Sequence, residues 1–440
     1  MGFIRKAALG STANLACVFL VQVFSIILSR RLGPASFGRY RLWVGAATIV
    51  ATLFTMGIAT ANIYFLNHLK TSKVQILANS FRLLMVLGPL CAGLVLALVC
   101  RNPGYFGKAP WPVAALFAAG AGLGICMTFL RQLLVAEMEI GKVVGVEVLQ
   151  AGASLLFAAI LACAGCLNVC SALVLTLLNS CLAVAVLLFF LRKSLGGFPP
   201  FDWRLFGQTL RYGIKLSLYH TIYLLSAELS LILLKFYGKF AAVGLYSRAA
   251  ALSGLIILIP NYIGPLLMSQ WSAASGKQRA RQVEAVVRVF VLFAIGVCLA
   301  IFWGGKQIIW LLYGRQYLGA QAALLFLAPS AGALSLFVIF SNLLNGAGHP
   351  SANIWISTGM FAVLASSSLL LIPRYGIGGA ALGALCGSGF AALSGCLCAG
   401  RFCGVSAANC LLPCKADWVF LYKAVASLIP GREAFNNGDL

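Results

Sequence analysis

A succession of apolar runs, each about 20 residues long, repeats along nearly the whole of this chain and leaves it few folds to choose from. Twelve runs can be read, at roughly 12–29, 43–66, 83–100, 112–134, 146–165, 169–191, 214–236, 245–268, 285–303, 321–343, 352–372 and 377–400. Lipid offers the backbone no hydrogen-bond partner, so runs of this length must pair their own N–H and C=O groups, as a helix does. Composition agrees: 61% of residues are hydrophobic and 9% charged, where a globular chain carries about 25% charged residues. The expected fold is an all-α integral membrane protein of about twelve transmembrane helices.

The first run follows Arg5 and Lys6, is not followed by a small-x-small cleavage site, and runs into Arg30-Arg31, so it is expected to remain as the first span. With the N-terminus inside, the larger share of the 32 Lys and Arg residues falls in inner segments, which predicts cytoplasmic termini. One outer connection breaks the pattern by holding Arg30, Arg31, Arg39 and Arg41, and charges placed against the rule imply another use. The net charge of +23 is spread over many short loops with no aromatic-interleaved patch. That distribution suits anionic membrane lipids and argues against nucleic acid as a partner. Most of the 15 cysteines lie inside apolar runs, without paired CxxC spacing or nearby histidine, so they read as small packing residues and no metal site is expected.

A short pattern occurs twice. Gly33 to Arg41 (GPASFGRYR) is echoed by Gly238 to Arg248 (GKFAAVGLYSR), and each copy joins two apolar runs. Likewise, Gly165 to Leu173 joins runs five and six as tightly as Gly376 to Leu382 joins eleven and twelve. The longest connection, from Arg192 to Gly213, falls midway and contains Pro199-Pro200. These marks predict an N-terminal six-helix bundle (1–195), a cytoplasmic linker (196–213), a C-terminal six-helix bundle (214–402) and a cytoplasmic tail (403–440). Six is even, so both halves enter the membrane from the same side, a parallel repeat about an axis along the membrane normal with a central cavity between bundles.

At about 100° per residue, Ser11, Asn14, Gln22, Ser25 and Ser29 share one face of the first span. Arg41, Gly45, Thr48, Thr52, Thr55, Ala59 and Asn62 share a face of the second, and Lys215, Tyr219, Tyr223, Ser226 and Ser230 a face of the seventh, with His220 just beside it. Close helix packing accounts for the small and hydroxylated positions, but it accounts less well for Asn14, Gln22 and Asn62. Lys215 and Tyr219 suit an interfacial belt as well as a cavity wall. Arg30, Arg31, Arg41, Asn14, Gln22, Asn62, Lys215, Tyr219, Tyr223, Ser226 and Arg248 are the candidate substrate-binding residues.

Glu228 is the one acidic residue well inside a run. A buried charge there costs about 2.5–3.5 kcal/mol on insertion scales, so it must be paired, protonated or wetted. Two roles stay open for Glu228, with His220 beside it: coupling to a proton or sodium gradient, or a structural pair with a basic residue such as Arg248. The chain contains no HExxH, GxSxG, Walker A or paired-carboxylate arrangement, so neither an enzyme active site nor a cofactor is expected.

The stretch Leu28-Ser29-Arg30-Arg31-Leu32-Gly33-Pro34-Ala35-Ser36-Phe37-Gly38-Arg39-Tyr40 resembles the signature at the first hairpin of polysaccharide flippases, the Wzx-like branch of the multidrug/oligosaccharidyl-lipid/polysaccharide exporter superfamily. Phe201-Asp202-Trp203, Leu210-Arg211-Tyr212-Gly213, Val243-Gly244-Leu245-Tyr246, Leu311 to Tyr317, Asn345 to Pro350 and Ile372 to Gly376 extend the resemblance over roughly residues 1 to 420. It implies a multi-pass carrier in a bacterial cytoplasmic (inner) membrane. The carrier would move an undecaprenyl-pyrophosphate-linked oligosaccharide between leaflets by alternating access, beside other polysaccharide assembly proteins. The sequence departs from many relatives at Ala227-Glu228-Leu229, where they carry an Asp-Arg pair, so no coupling site transfers. The alternatives are a cation-coupled multidrug exporter of the same superfamily and a membrane polysaccharide polymerase.

Overall fold

The computed structural model describes the backbone of residues 2–55, 57–68, 73–137, 139–192, 199–273 and 276–411. Among these residues the secondary structure is helical throughout: α1 (Gly2–Thr55), α2 (Ile58–His68), α3 (Lys73–Arg101), α4 (Pro103–Phe106), α5 (Trp111–Ala136), α6 (Ile140–Cys163) and α7 (Val169–Leu191) come first. They are followed by α8 (Trp203–Tyr237), α9 (Phe240–Ser253), α10 (Leu255–Ala273), α11 (Gly276–Tyr313), a 3-10 turn (Arg315–Ala320), α12 (Gln321–Gly346), α13 (Pro350–Cys403) and α14 (Ala407–Leu411). Each of the twelve apolar runs falls on one or two of these helices.

Among the described residues, eight helices are long and apolar enough to cross a membrane, or nine if the bent pair Phe240–Ser253 and Leu255–Gly264 is one span. Two of the eight cover two runs each, because a helix runs up to a glycine, breaks, and resumes. In α1 the break is Gly33 (φ 73°, ψ 169°), with Pro34 starting the next helical segment. In α13 it is Gly376 (φ 54°, ψ −122°), three residues after Pro373. Both conformations are ones that a Cβ disfavours, which explains the glycine in each of these motifs.

The connections are closed by local chemistry. After α6, Gly165 adopts φ 70° and the Cys166 N–H reaches back to Leu161 O at 2.9 Å. Asn168 and Ser171 then form a reciprocal capping box at the start of α7. The linker expected over 196–213 is shorter than its sequence limits. Asp202 caps α8 by accepting from the Leu205 N–H at 2.9 Å, so the helix is under way from Trp203. Asn79 holds this entry to α3 with two 3.0 Å bonds, donating to the Asp202 carbonyl and accepting from its N–H. Residues beyond 411 in the predicted tail lie outside the described residues.

Contacts group the chain into two units, and the grouping does not follow the sequence midpoint. The first comprises Met1–Ala249, Gln307–Ala323 and Ser368–Ala380; the second comprises Ala250–Lys306, Leu324–Ser367 and Ala381–Leu440. In the first unit α5 packs between α3 and α7, α1 packs on α6, and α2 packs on α8. In the second, Gly387 seats against Leu364 and Gly395 against Phe340. Buried hydroxyls pair there too, as with Ser330 and Ser388 at 3.0 Å. Small residues set these contacts because between helices in lipid the gain is close packing rather than exclusion of water.

The sharpest close approach joins the two copies of the sequence echo inside the first unit. A methyl at Gly38 would collide with the Phe240 carbonyl and lie 2.8 Å from the Gly244 nitrogen. One at Gly244 would collide with the Pro34 carbonyl, its carbon 2.8 Å away. Each glycine thus faces the residue four positions before the other, the reciprocity that a local two-fold relation requires. Gly38→Ala or Gly244→Ala should therefore each destabilise by about 1–3 kcal/mol. Gly93→Ala, inside α3 where nothing lies within 4 Å of the added methyl, should cost nothing and stabilise by up to about 1 kcal/mol, and thermal unfolding midpoints in detergent compare the three.

Candidate functional site

A cavity of the first unit has a volume of about 430 Å³, within the roughly 300–1,000 Å³ typical of ligand sites. Thr48, Thr52, Thr55 and Ala59 line it from α1 and α2, as the second polar stripe predicts. The opposite wall is α5, which contributes Gly120, Gly124, Thr128, Arg131 and Gln132, with Thr176 from α7 and Thr221 from α8. These α5 positions recur at helical spacing, so their common face is written in the sequence. The face is mostly glycine and threonine, however, with Arg131 as its one charged signal. Arg131 is half-exposed and held by Glu147 of α6, Nη1 to Oε1 at 2.7 Å.

Among the described side chains, none of the predicted binding residues lines this cavity. Arg30 donates from Nε to the Leu312 carbonyl at 2.7 Å and from Nη2 to that of Leu311, closing the C-terminal end of α11. Gln316 donates back to the Arg30 carbonyl at 2.9 Å, and the Tyr317 hydroxyl to that of Ser29 at 3.1 Å. This is the use of a basic side chain at a helix C-terminus. Arg31 is exposed and Gln22 half-buried. Asn62 donates to the Ser80 hydroxyl at 2.9 Å, and Ser226 to the Ile222 carbonyl at 2.8 Å. Tyr223 is half-buried. The side chains of Asn14, Lys215, Tyr219 and His220 lie outside the described residues.

Glu228 finds its partner on α1 rather than on α9. Arg41 Nη2 donates to Glu228 Oε1 at 2.6 Å, and the side chains are 27% and 9% exposed. Gly45 makes room for the carboxylate, since a methyl there would come within 2.6 Å of Oε2. Oε2 itself is buried without a hydrogen bond. Glu228 borders a second, largely apolar cavity of about 340 Å³, walled by α1, Leu98 of α3, Tyr105 and Phe106 of α4, and Leu231 and Ile232 of α8. Tyr105 donates to the Ile232 carbonyl at 2.7 Å, and burial pushes its phenol up to about 12, so it stays protonated. The upper stripe of α1 therefore holds Glu228, while only its threonines reach the larger cavity.

Arg248 is buried, 5% exposed. Its guanidinium carbon lies 4.1 Å from the centroid of the Phe37 ring and 5.5 Å from that of Tyr313. Nη1 donates to the Ser25 hydroxyl, and Nε has no partner. Stacking on aromatic faces stabilises such a cation by about 2 kcal/mol when desolvated.

Comparison with known proteins bears on this arrangement. The family described as polysaccharide biosynthesis protein matches residues 3–269. An uncharacterized membrane protein of Methanocaldococcus jannaschii is 27% identical over 191 residues, 41% of this chain; the match spans 37% of that relative's length. The fold resembles the lipid II flippase MurJ in an inward closed conformation (TM-score 0.73, 12% identity, 97% of this chain and 94% of that one). It also resembles an inward-facing multidrug resistance MATE family transporter of the MOP superfamily (TM-score 0.72, 17% identity, 87% and 94%). A MOP superfamily transporter from Pyrococcus furiosus aligns at TM-score 0.62 with 16% identity, over 89% and 95% of the two chains.

The Arg41–Glu228 pair yields a test. Arg41→Ala should destabilise by about 3–5 kcal/mol, because it strands a buried carboxylate. Arg41→Met with Glu228→Leu should recover most of that loss. Detergent unfolding of the single and double variants reads the coupling.

Proposed function

The chain belongs to the polysaccharide biosynthesis protein family, and from that premise we propose that it flips an undecaprenyl-pyrophosphate-linked oligosaccharide from the cytoplasmic to the periplasmic leaflet for surface polysaccharide assembly. It is a multi-pass membrane protein with the fold of MOP superfamily transporters. We place it in a bacterial inner membrane with both termini cytoplasmic and two six-helix bundles working by alternating access. Other assembly proteins would take up the delivered glycan.

The observation that carries this reading is the 430 Å³ cavity, walled by threonines and bearing a guanidinium, in a protein whose outer faces are apolar. A lipid-linked glycan has matching parts. Its polyprenyl tail stays in the bilayer, the sugar head needs a polar enclosure away from hydrocarbon, and the pyrophosphate needs a cation. Arg131 is suited to that anion, because a planar guanidinium keeps donors available while one nitrogen holds Glu147.

A second reading, a cation-coupled multidrug exporter, draws on Glu228, whose bare Oε2 borders an apolar cavity of about 340 Å³. The same carboxylate is where a proton or sodium gradient would couple to flipping. The two readings differ in cargo.

The test is the leaflet location of the lipid-linked oligosaccharide in a deletion strain, with and without the gene supplied back. Flipping predicts accumulation on the cytoplasmic face, cleared by the wild type and at least about tenfold more slowly by Arg131→Ala, a loss of about 1.4 kcal/mol of transition-state stabilisation. Normal periplasmic delivery without the gene, accompanied by sensitivity to lipophilic cations, would instead favour the exporter.

A further inference from the structure

Five threonines on the wall of the larger cavity, from three helices, share one hydrogen-bond arrangement. The Thr48 hydroxyl bonds the Val44 carbonyl at 2.9 Å, Thr52 that of Thr48 at 2.7 Å, and Thr55 that of Thr52 at 2.9 Å. Thr128 bonds the Gly124 carbonyl at 2.9 Å, and Thr176 that of Leu173 at 2.6 Å. A carbonyl oxygen has no hydrogen to give, so the direction of all five bonds follows from chemistry alone. Each hydroxyl hydrogen is committed to its own helix, and each hydroxyl oxygen keeps an acceptor site. All five residues line the cavity, so this wall presents methyl groups and acceptors. The nitrogen donors of Arg131 and Gln132 lie farther along α5.

We infer that this wall selects the sugar head by hydrogen-bond polarity: it binds a neutral saccharide whose hydroxyl or acetamido groups donate, and it disfavours a carboxylate-bearing sugar. The inference rests on the flippase reading for its cargo and adds the chemical class of the glycan. A neutral pyranose turns O–H groups toward waiting lone pairs. A uronate turns a charged, acceptor-only group toward the same lone pairs, and none of these five threonines replaces the water it has lost, which leaves Thr221 as the one threonine of the cavity outside the arrangement. To donate to such a group, a threonine must first break its bond to the helix backbone. Anionic parts of the cargo are thereby left to the Arg131 end.

The experiment uses the purified full chain with two probes: undecaprenyl-diphosphate-linked glucose, and the same lipid with C6 oxidised to the carboxylate. Equilibrium binding in detergent and flipping in proteoliposomes are both measured for the wild type, for Thr52→Val with Thr128→Val, and for the matching serine pair. Valine keeps the shape and removes the oxygen, whereas serine keeps the oxygen. The expected result is at least tenfold tighter binding of the glucose lipid to the wild type. That preference should shrink below about threefold in the valine pair, as follows from roughly 2- to 12-fold per lost bond, and persist in the serine pair. Equal binding of the two lipids by the wild type, or an unchanged preference in the valine pair at matched thermal midpoints, overturns the inference. A wild type that binds with the expected preference yet moves neither lipid leaves the polarity assignment standing and defeats the flippase reading instead.

Discussion

The approach of two backbones at Gly38 and Gly244 sets the geometry of everything around it. With no side chain on either glycine, the start of the second segment of α1 and the start of α9 lie close enough for carbonyls to occupy the space of a methyl group. That proximity lays Phe37 over the guanidinium of Arg248 and brings Ser25 within its reach. A larger residue at either position would separate the helices and leave the buried cation without its aromatic cover. In lipid, where water exclusion between helices contributes little, contacts of this type decide which helices are neighbours.

Three arginines in or just before the echoed segments illustrate how one charge type is accommodated in three ways. Arg30 reaches the Leu311 and Leu312 carbonyls in the last turn of α11, where partners within the helix run out. Arg41 neutralises a carboxylate, and Arg248 relies on ring faces and a hydroxyl. The four arginines expected on the outer side against the charge rule therefore include two with defined structural partners inside the first unit, and a third, Arg39, donates to the Lys108 carbonyl.

What the sequence made legible depended on how local the signal was. Apolar runs are local, and all of them coincide with helices; the glycine breaks at Gly33 and Gly376 are local too, each carried by neighbouring proline. The threonine stripe was legible because one helix face is a local property. Glu228 was legible as a residue in need of a partner. Arg41 as that partner was not, since it comes from a helix nearly 190 residues earlier and only tertiary packing joins them. The α5 wall went unread because glycine and threonine at helical spacing signal close packing as readily as a cavity, and the deciding fact, an open volume opposite them, is not a property of α5.

The reciprocity of the glycine contact has a consequence for how such a chain could arise. Around a two-fold axis a residue meets the counterpart of its own neighbour, so in a dimer of identical half-length subunits one glycine codon supplies both sides of the crossing. Fusing two such genes divides that single requirement between two positions. Elsewhere the halves are free to diverge, so that one helix can acquire a carboxylate and another a guanidinium. At the axis neither copy can enlarge alone, so a fusion of that kind would leave its trace where the two copies of the echo meet.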